Sequence, residues 1–262
     1  LWFILFFEKD QALGSDLFVL LGVNALVVGF VWWRMSRELG FRCLSLERLA
    51  KAGALFREAR LIWAFNLSYF LLANMALPMT YFLLGKTDSG LFGSAQQLVV
   101  ALQMFLHYFG IIVAPRLVVW RQADMAMFRR RVLMLAGGAA AVGLLFSGGL
   151  LLIVEWLYPL IFTKAFASAS SLLPVLVLGK FFAVGTAMFT WALWAEHRDK
   201  LPVLCCIPCC LISGALYFWL LPNPDFGNTA AAQITLGAES ALMVFSAVAF
   251  AWAVRQSKVK PD

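Results

Sequence analysis

The sequence predicts an all-α integral membrane protein, a polytopic bundle of transmembrane helices. Of its 262 residues, 63% are hydrophobic and only 13% are charged, and the mean hydropathy is +0.85. A soluble domain needs about 25% charged residues to cover its surface. The apolar residues also gather into runs long enough to span the ~30 Å hydrocarbon core of a bilayer as helices. Both observations indicate that lipid is the solvent of this chain.

Seven apolar runs are long enough to be full spans, and a shorter run precedes them. Residues 1–7 would form only about 10 Å of helix, so we expect this stub to be the end of a helix that starts earlier in a longer protein. It lacks the basic segment and small-residue cleavage site of a signal peptide. The full spans are predicted at residues 16–33, 61–84, 92–114, 132–154, 171–195, 201–221 and 230–254.

Positive charge alternates across these predicted spans. One side carries only Lys9, Lys86 and Lys164, and Lys180 lies inside a span. Because an excess of Lys and Arg in short loops marks the cytoplasmic side, we predict that the more basic side and the C-terminus are cytoplasmic. The basic residues on that side are Arg34, Arg37, Arg42, Arg48, Lys51, Arg57, Arg60, Arg116, Arg121, Arg129, Arg130, Arg131, Arg198, Lys200, Arg255, Lys258 and Lys260.

The long basic segment 34–60 divides the chain. Its spaced leucines among Arg, Glu and Lys predict an amphipathic cytoplasmic connector helix. Residues 61–254 after it hold six spans, whereas residues 1–33 hold one span and the stub. Transporters often combine two helical repeats. We therefore interpret 61–254 as a six-helix C-terminal lobe, 1–33 as the partial end of an N-terminal lobe, and 255–262 as a cytoplasmic tail.

Three stretches of the six-span region carry a family resemblance. Residues 90–98 (GLFGSAQQL) are similar to a glycine-aromatic-alanine signature, and residues 114–116 (APR) with the arginines at 129–131 are similar to a proline-ended helix and its basic inner loop. Residues 157–162 (LYPLIF) are similar to an outer segment, although Pro159 replaces the usual glycine. Together they resemble the polysaccharide (O-antigen-type) flippases of the multidrug/oligosaccharidyl-lipid/polysaccharide superfamily.

The resemblance implies a function and a location. Members of this family alternate access between two lobes and carry an undecaprenyl-pyrophosphate-linked oligosaccharide to the outer leaflet of the bacterial inner membrane. Lipid-linked oligosaccharide, membrane lipids and other polysaccharide-assembly membrane proteins are the partners implied. No cofactor is indicated, and H⁺ and Na⁺ both stay open as a coupling ion. A multidrug exporter or a lipid II flippase of the same superfamily remains an alternative.

Other classes of function fit the sequence less well. The basic residues form no stripe interleaved with stacking aromatics, so nucleic acid is not a predicted partner. No catalytic residue is assigned, because no nucleophile, acid–base pair or metal constellation is visible. The run 205–210 (CCIPCC) contains a Cys-x-x-Cys spacing, but its apolar setting beside Pro208 favours packing, so no metal site is predicted. The alternative hypothesis is a membrane enzyme or a scaffold of polysaccharide synthesis.

Two ionisable residues are predicted at membrane depth. Lys180 and Glu239 each lie about ten residues into a predicted span, which places both near the bilayer midplane. Charges there are costly and mark functional positions by default. We predict an intramembrane charge pair, which either contacts a coupling ion or phosphate or only neutralises itself.

Polar side chains on two predicted spans are candidates for a cavity surface. Gln96, Gln103 and His107 are spaced seven and four residues apart and therefore share one helical face. Asn66 and Asn74 fall broadly on one side of the preceding span. In the resembling family these two helices border the central cavity, so the stripe is predicted to bind sugar or pyrophosphate. Interhelical hydrogen bonding is the alternative.

Basic and small residues give two further hypotheses. Arg60, with Arg57 beside it, lies where the connector meets the span 61–84 and could attract a pyrophosphate at the cavity mouth. The alternative is that these arginines only anchor a helix end. In the span 132–154, Gly137 with Ala141 and Gly143 with Ser147 form small-xxx-small faces, which predict close helix contacts.

Overall fold

The structure is a computed structural model that describes residues 26, 29, 30, 33, 34, 46–162, 164–223 and 227–257. Within these ranges it describes the backbone alone at residues 46–56, 58, 101, 104–107, 109, 111, 164, 165 and 257. The chain divides into two units, residues 1–58 and residues 59–262. The described residues of the first unit are helical, and the second unit is a bundle of helices.

Every regular element in the described ranges is a helix, as the sequence predicts. A 3-10 helix, Lys164–Ser171, directly precedes the α-helix Leu172–Ala195. From Leu46 onward the α-helices are α1 (Leu46–Asn74), α2 (Ala76–Leu84), α3 (Lys86–Ala123), α4 (Met125–Ile161), α5 (Leu172–Ala195), α6 (Lys200–Leu220) and α7 (Gly227–Ser257).

In the described part of the chain, four helical stretches are long and apolar enough to cross a membrane, and a bent pair makes a fifth if the two helices form one span. The pair is Ala59–Asn74 with Ala76–Leu84, bent by 44° at Met75, and it covers the predicted span 61–84. The four are Met125–Ile161, Phe166–Ala195, Lys200–Leu220 and Gly227–Gln256. The chain therefore has the architecture of a polytopic helical membrane protein.

Two predicted spans cannot be compared fully with the structure, because they include residues or side chains that it does not describe. A third prediction, the connector, differs at its boundary. The predicted span 16–33 lies almost wholly outside the described residues. The predicted span 92–114 lies inside α3, where several side chains are not described, so both stay predictions. The predicted connector 34–60 does not end as a separate helix, because α1 runs from Leu46 to Asn74 without a break.

Local chemistry explains where the helices end. Asp124 separates α3 from α4, and its carboxylate accepts hydrogen bonds from the backbone N–H groups of Ala126 at 2.8 Å and Met127 at 3.3 Å. An aspartate in this position satisfies donors that the first turn of a helix leaves unpaired. Gly85 separates α2 from α3 with a φ of +95°, a conformation that glycine adopts at little steric cost.

Helix α5 lies at the centre of the second unit. It packs against α3, α4 and α7, and 72% of its apolar stretch is buried, against 22% for α4. By contrast, α4 exposes Leu145 and Leu152, which are 79% and 87% accessible. Large apolar side chains on an outer surface are expected where lipid replaces water. Residues of α5 are therefore surrounded by protein, which is where polar groups of a membrane helix are tolerated.

Contacts between the helix ends sort them into two groups. At one end, Asn228 in the first turn of α7 donates a hydrogen bond of 2.9 Å to Asp88 of α3. At the other end, Arg121 of α3 pairs with Glu196, which follows α5, at 2.9 Å. Each contact joins segments that the alternating charge pattern assigns to the same membrane side.

Candidate functional site

A cleft of about 340 Å³ lies among α1, α3 and α5. Its volume is at the lower end of the roughly 300–1,000 Å³ range of small-molecule sites. Ammonium, amide, hydroxyl and aromatic groups converge on it, a combination that is typical of ligand sites. The lining residues are Ile62, Phe65, Asn66, Tyr69, Gln103, Gly110, Lys180, Ala183, Val184, Thr186, Ala187, Met188, Thr190, Trp191 and Trp194.

The two predicted intramembrane charges form an ion pair beside this cleft. Lys180 Nζ of α5 lies 3.6 Å from Glu239 Oε1 of α7, and their exposed fractions are 6% and 0%. The separation exceeds the ~2.8 Å of a tight charge-assisted hydrogen bond. Neither carboxylate oxygen of Glu239 makes a hydrogen bond within the described part of the chain. The pair therefore neutralises itself without committing all three ammonium donors of Lys180.

Close packing of α5 on α7 brings the two charges together. A Cβ at Gly179 would lie 3.7 Å from the backbone Cα of Leu236 and 4.0 Å from Glu239 Cγ, so the two helices are already in contact. Lys180 follows Gly179 directly and reaches the cleft. Among the described residues, Glu239 does not line the cleft. The cleft is therefore lined by the ammonium group of Lys180, whereas its counter-ion Glu239 lies on the side of Lys180 away from the cleft.

Aromatic rings form one wall of the cleft. The Phe65 ring of α1 stacks on Tyr69 with a centroid separation of 5.9 Å and meets Trp194 of α5 edge-to-face at 5.6 Å. Such aromatic pairs add stability beyond simple area burial. With Trp191 they place flat apolar faces beside the polar groups of α5.

A second cleft of about 410 Å³ lies next to the same tryptophans. Trp191 and Trp194 line both clefts, and Arg121, Gln122 and His197 line the second. The guanidinium Nε of Arg121 is held at 2.9 Å by Glu196. The tryptophan pair therefore separates a cleft with a buried lysine from one with an arginine at the helix ends.

The structure gathers some of the predicted site residues and separates others. Asn66, Gln103 and Lys180 line the same cleft. Asn74 instead donates a hydrogen bond of 2.8 Å to the Phe70 carbonyl of its own helix, outside this lining. Gln96 is half-buried, and its Oε1 makes no hydrogen bond among the residues that the structure describes.

Two further candidates stand apart from the cleft lining or from the described side chains. Arg60 is exposed on α1 and does not belong to the lining. The side chain of His107 is outside the described part of α3. Their predicted contacts with substrate stay predictions.

Sequence reasoning missed the largest contribution to the cleft, which comes from α5. Thr186, Thr190 and Trp194 recur every four residues, so a single polar face could have been read from their spacing. The aromatic contacts of Phe65 and Tyr69 carry no such signal, because an aromatic residue in a membrane helix is common. The buried Glu196 was also missed, since it follows the apolar run directly and reads as a loop residue.

The cysteine run of α6 is part of the core. Cys206 and Cys209 are buried and pack with Phe65, Leu72 and Leu242. All four cysteines of this run are free thiols, and their small polarisable side chains fill the space between helices.

Metal and cofactor chemistry has no visible set of ligands in the described ranges. Within them, no three His, Cys, Asp or Glu side chains lie close enough to hold a metal ion together. The lining of the main cleft offers a cation, hydroxyls, amides and aromatic rings for contact with a ligand. No family model, curated protein or solved structure matches the chain.

Proposed function

We propose that this protein is a membrane transporter that flips an undecaprenyl-pyrophosphate-linked oligosaccharide from the inner to the outer leaflet. The observation that carries the proposal is the cleft lined by Lys180 within a bundle of membrane-length helices. An ionisable residue inside a membrane helix is by default a candidate for binding or transport. The family resemblance of the sequence supplies the substrate class.

The chemistry of the cleft suits both ends of such a headgroup. Lys180 offers ammonium donors to a pyrophosphate, and the amides of Asn66 and Gln103 offer both donors and acceptors to sugar hydroxyls. The exposed apolar surface of the helices, such as that of α4, is compatible with a prenyl chain that stays in lipid. A flippase needs this division between a polar cavity and a lipid-facing exterior.

The predicted orientation places the cleft on the loading side. From Lys180 the cleft extends along α5 to Trp194, towards the end that carries Arg198 and Lys200. The positive-inside rule assigns that end to the cytoplasm. In the proposed cycle a headgroup made in the cytoplasm enters at this end, and alternation between two lobes releases it outside.

The position of the two charges favours an anionic substrate over a lipophilic cation. Lys180 lines the cleft, whereas the counter-ion Glu239 lies behind it. A drug exporter for cations would expose the carboxylate to its ligand instead. The arrangement thus supports a phosphate-bearing lipid within this superfamily, and no chemical conversion of the substrate is proposed.

The test is a flipping assay with the purified chain in lipid vesicles. The probe is the pool of lipid-linked oligosaccharides extracted from cells that express the chain, and a membrane-impermeant periodate reagent reports which leaflet carries the sugar. We expect the wild-type protein to equilibrate the sugar between leaflets faster than protein-free vesicles do. Lys180→Met/Glu239→Gln, which removes the cation without leaving an unpaired carboxylate, should slow this at least about tenfold.

Lys86→Met is the matched control, because Lys86 is an exposed lysine at the start of α3, away from the cleft. Its rate should equal that of the wild type. Wild-type vesicles that leave the sugar in its original leaflet would contradict the proposal. So would energised vesicles that export lipophilic cations while the lipid-linked sugar stays in place.

A further inference from the structure

Three residues of α5 that line the main cleft carry hydrogen-bonding groups with no partner among the described residues. Thr186 Oγ1, Thr190 Oγ1 and Trp194 Nε1 are buried and make no hydrogen bond within the described part of the chain. Both threonines are only 1% exposed. A spacing of four residues places the three groups on one helical face over about 12 Å. They form what we call the α5 stripe: Thr186, Thr190 and Trp194.

Buried hydroxyls elsewhere in the bundle are satisfied by their own helices. Thr80, Ser213 and Thr235 each donate to the carbonyl four residues earlier, at 2.7, 2.6 and 2.8 Å. The same bond is open to any threonine inside a helix. Thr186 and Thr190 do not make it, and an unsatisfied buried hydroxyl is unfavourable. Within the described part of the chain, these two hydroxyls therefore lack a partner that a ligand in the cleft could supply.

The surroundings of the α5 stripe indicate the chemistry of its ligand. A threonine hydroxyl can both donate and accept, as sugar hydroxyls do, and the tryptophan N–H donates. The rings of Phe65 and Tyr69 lie across the same cleft, and the apolar C–H face of a sugar ring packs well on aromatic surfaces. A phosphate would need only donors and would gain most from Lys180, about 9 Å from Thr186 along the helix.

We infer that the α5 stripe is a sugar-binding subsite that determines how strongly the protein distinguishes glycan-bearing lipid from bare prenyl pyrophosphate. The inference rests on the proposed flippase function and adds to it the residues that recognise the glycan. Lys180 then holds the pyrophosphate, and the sugar extends along α5 from Thr186 towards Trp194. The hydroxyl groups of the glycan supply hydrogen-bond partners for the two threonine hydroxyls and the tryptophan N–H.

The test compares two probes on the purified full chain. One is the extracted lipid-linked oligosaccharide pool, and the other is sugar-free undecaprenyl pyrophosphate. Binding constants are measured in detergent for the wild type and for Thr186→Val/Thr190→Val, which keeps the side-chain shape and removes both hydroxyls. We expect the wild type to prefer the glycan-bearing lipid, and the variant to lose about tenfold of that preference while its affinity for the sugar-free lipid stays unchanged.

Two further variants separate recognition from folding. Thr186→Ser/Thr190→Ser retains the hydroxyls and should restore the preference. Ser246→Ala is the matched control, because Ser246 is also 1% exposed and without a hydrogen bond among the described residues but does not line the cleft. It should bind both lipids as the wild type does. The melting temperature of each variant confirms that it is folded.

The outcomes distinguish this inference from the function on which it rests. A Thr186→Val/Thr190→Val variant that keeps the full preference would overturn the role of the stripe and leave the flippase proposal standing. Equal wild-type affinity for the two lipids would do the same. A wild-type protein that neither binds nor flips the glycan-bearing lipid would instead contradict the flippase proposal itself.

Discussion

The ion pair between Lys180 and Glu239 is the residue-level feature with the largest energetic consequence. Either charge alone would be buried among helices with little water, where the desolvation penalty is several kcal/mol per ion. Their contact at 3.6 Å offsets part of that penalty. Because each charge depends on the other, removing one partner is more damaging than removing both.

We predict a strongly non-additive double-mutant cycle for this pair. Lys180→Met and Glu239→Gln should each lower the free energy of unfolding, and the loss should reach about 3–5 kcal/mol for Lys180→Met, which leaves an uncompensated buried carboxylate. The double variant should be milder than Lys180→Met alone. Thermal unfolding of the purified variants in one detergent measures the cycle. Losses that simply add would show that the two side chains do not act as a pair.

Residue positions were predictable from the sequence only where membrane depth decides them. Counting along an apolar run was enough to place Lys180 and Glu239 at similar depth. The rotation of each helix about its axis decides which polar groups face a cleft, and packing sets it. Gln103 consequently reached the cleft, whereas Asn74 bonded to its own helix at the bend. The unpartnered hydroxyl of Thr186 could not be predicted, because a threonine in a helix normally satisfies itself.

At the scale of elements, the contact between α4 and α5 depends on small residues. Gly143 is buried against Phe181, and Ser147 donates a hydrogen bond to the Pro174 carbonyl. This is the close contact that the small-xxx-small spacing predicted for that face. Gly137, on the other predicted face, is exposed in the part of the chain that the structure describes. The helix contact predicted for that face therefore stays untested.

Gly143→Ala should therefore separate α4 from α5. The added methyl group would overlap the Cβ and ring of Phe181, atoms fixed close to the α5 backbone that cannot easily move aside. We expect a loss of about 1–3 kcal/mol in the free energy of unfolding, measured by thermal denaturation in detergent. Gly138→Ala is the control, since nothing lies within 4 Å of a Cβ there, and it should be neutral or stabilising by up to about 1 kcal/mol. Equal stabilities of the two variants would refute the contact.

Hydropathy located the middles of the helices better than their ends. The predicted span 132–154 lies well inside α4, which starts at Met125 and continues to Ile161. The extra turns at its start follow from the Asp124 cap, which satisfies backbone donors of the first turn. In the same way the bend at Met75 divides the predicted span 61–84 into α1 and α2, a feature that mean hydropathy does not register.

At the scale of the whole molecule, charge and contacts agree on two opposite ends. The hydrogen bond from Asn228 to Asp88 joins two segments predicted outside, and that from Arg129 to the Val254 carbonyl joins two predicted inside. The net charge of +7 is carried mainly by the segments predicted inside. An odd number of crossings between Asp88 and the C-terminus is required by the proposed orientation, and α3 must be one of them.

Reporter fusions test this orientation. Alkaline phosphatase fused after Asp88, in the first turn of α3, should be active, because residues 85–91 carry little positive charge and are predicted outside. Green fluorescent protein fused after Asp262 should fluoresce, since the strongly basic loops place the C-terminus inside. The reciprocal fusions, with the reporters exchanged, should both be silent. A cytoplasmic position for Asp88 together with a cytoplasmic C-terminus would remove α3 from the set of spans and contradict the predicted topology. A C-terminus outside would reverse the loading side of the Lys180 cleft and so contradict the proposed route from the inner to the outer leaflet.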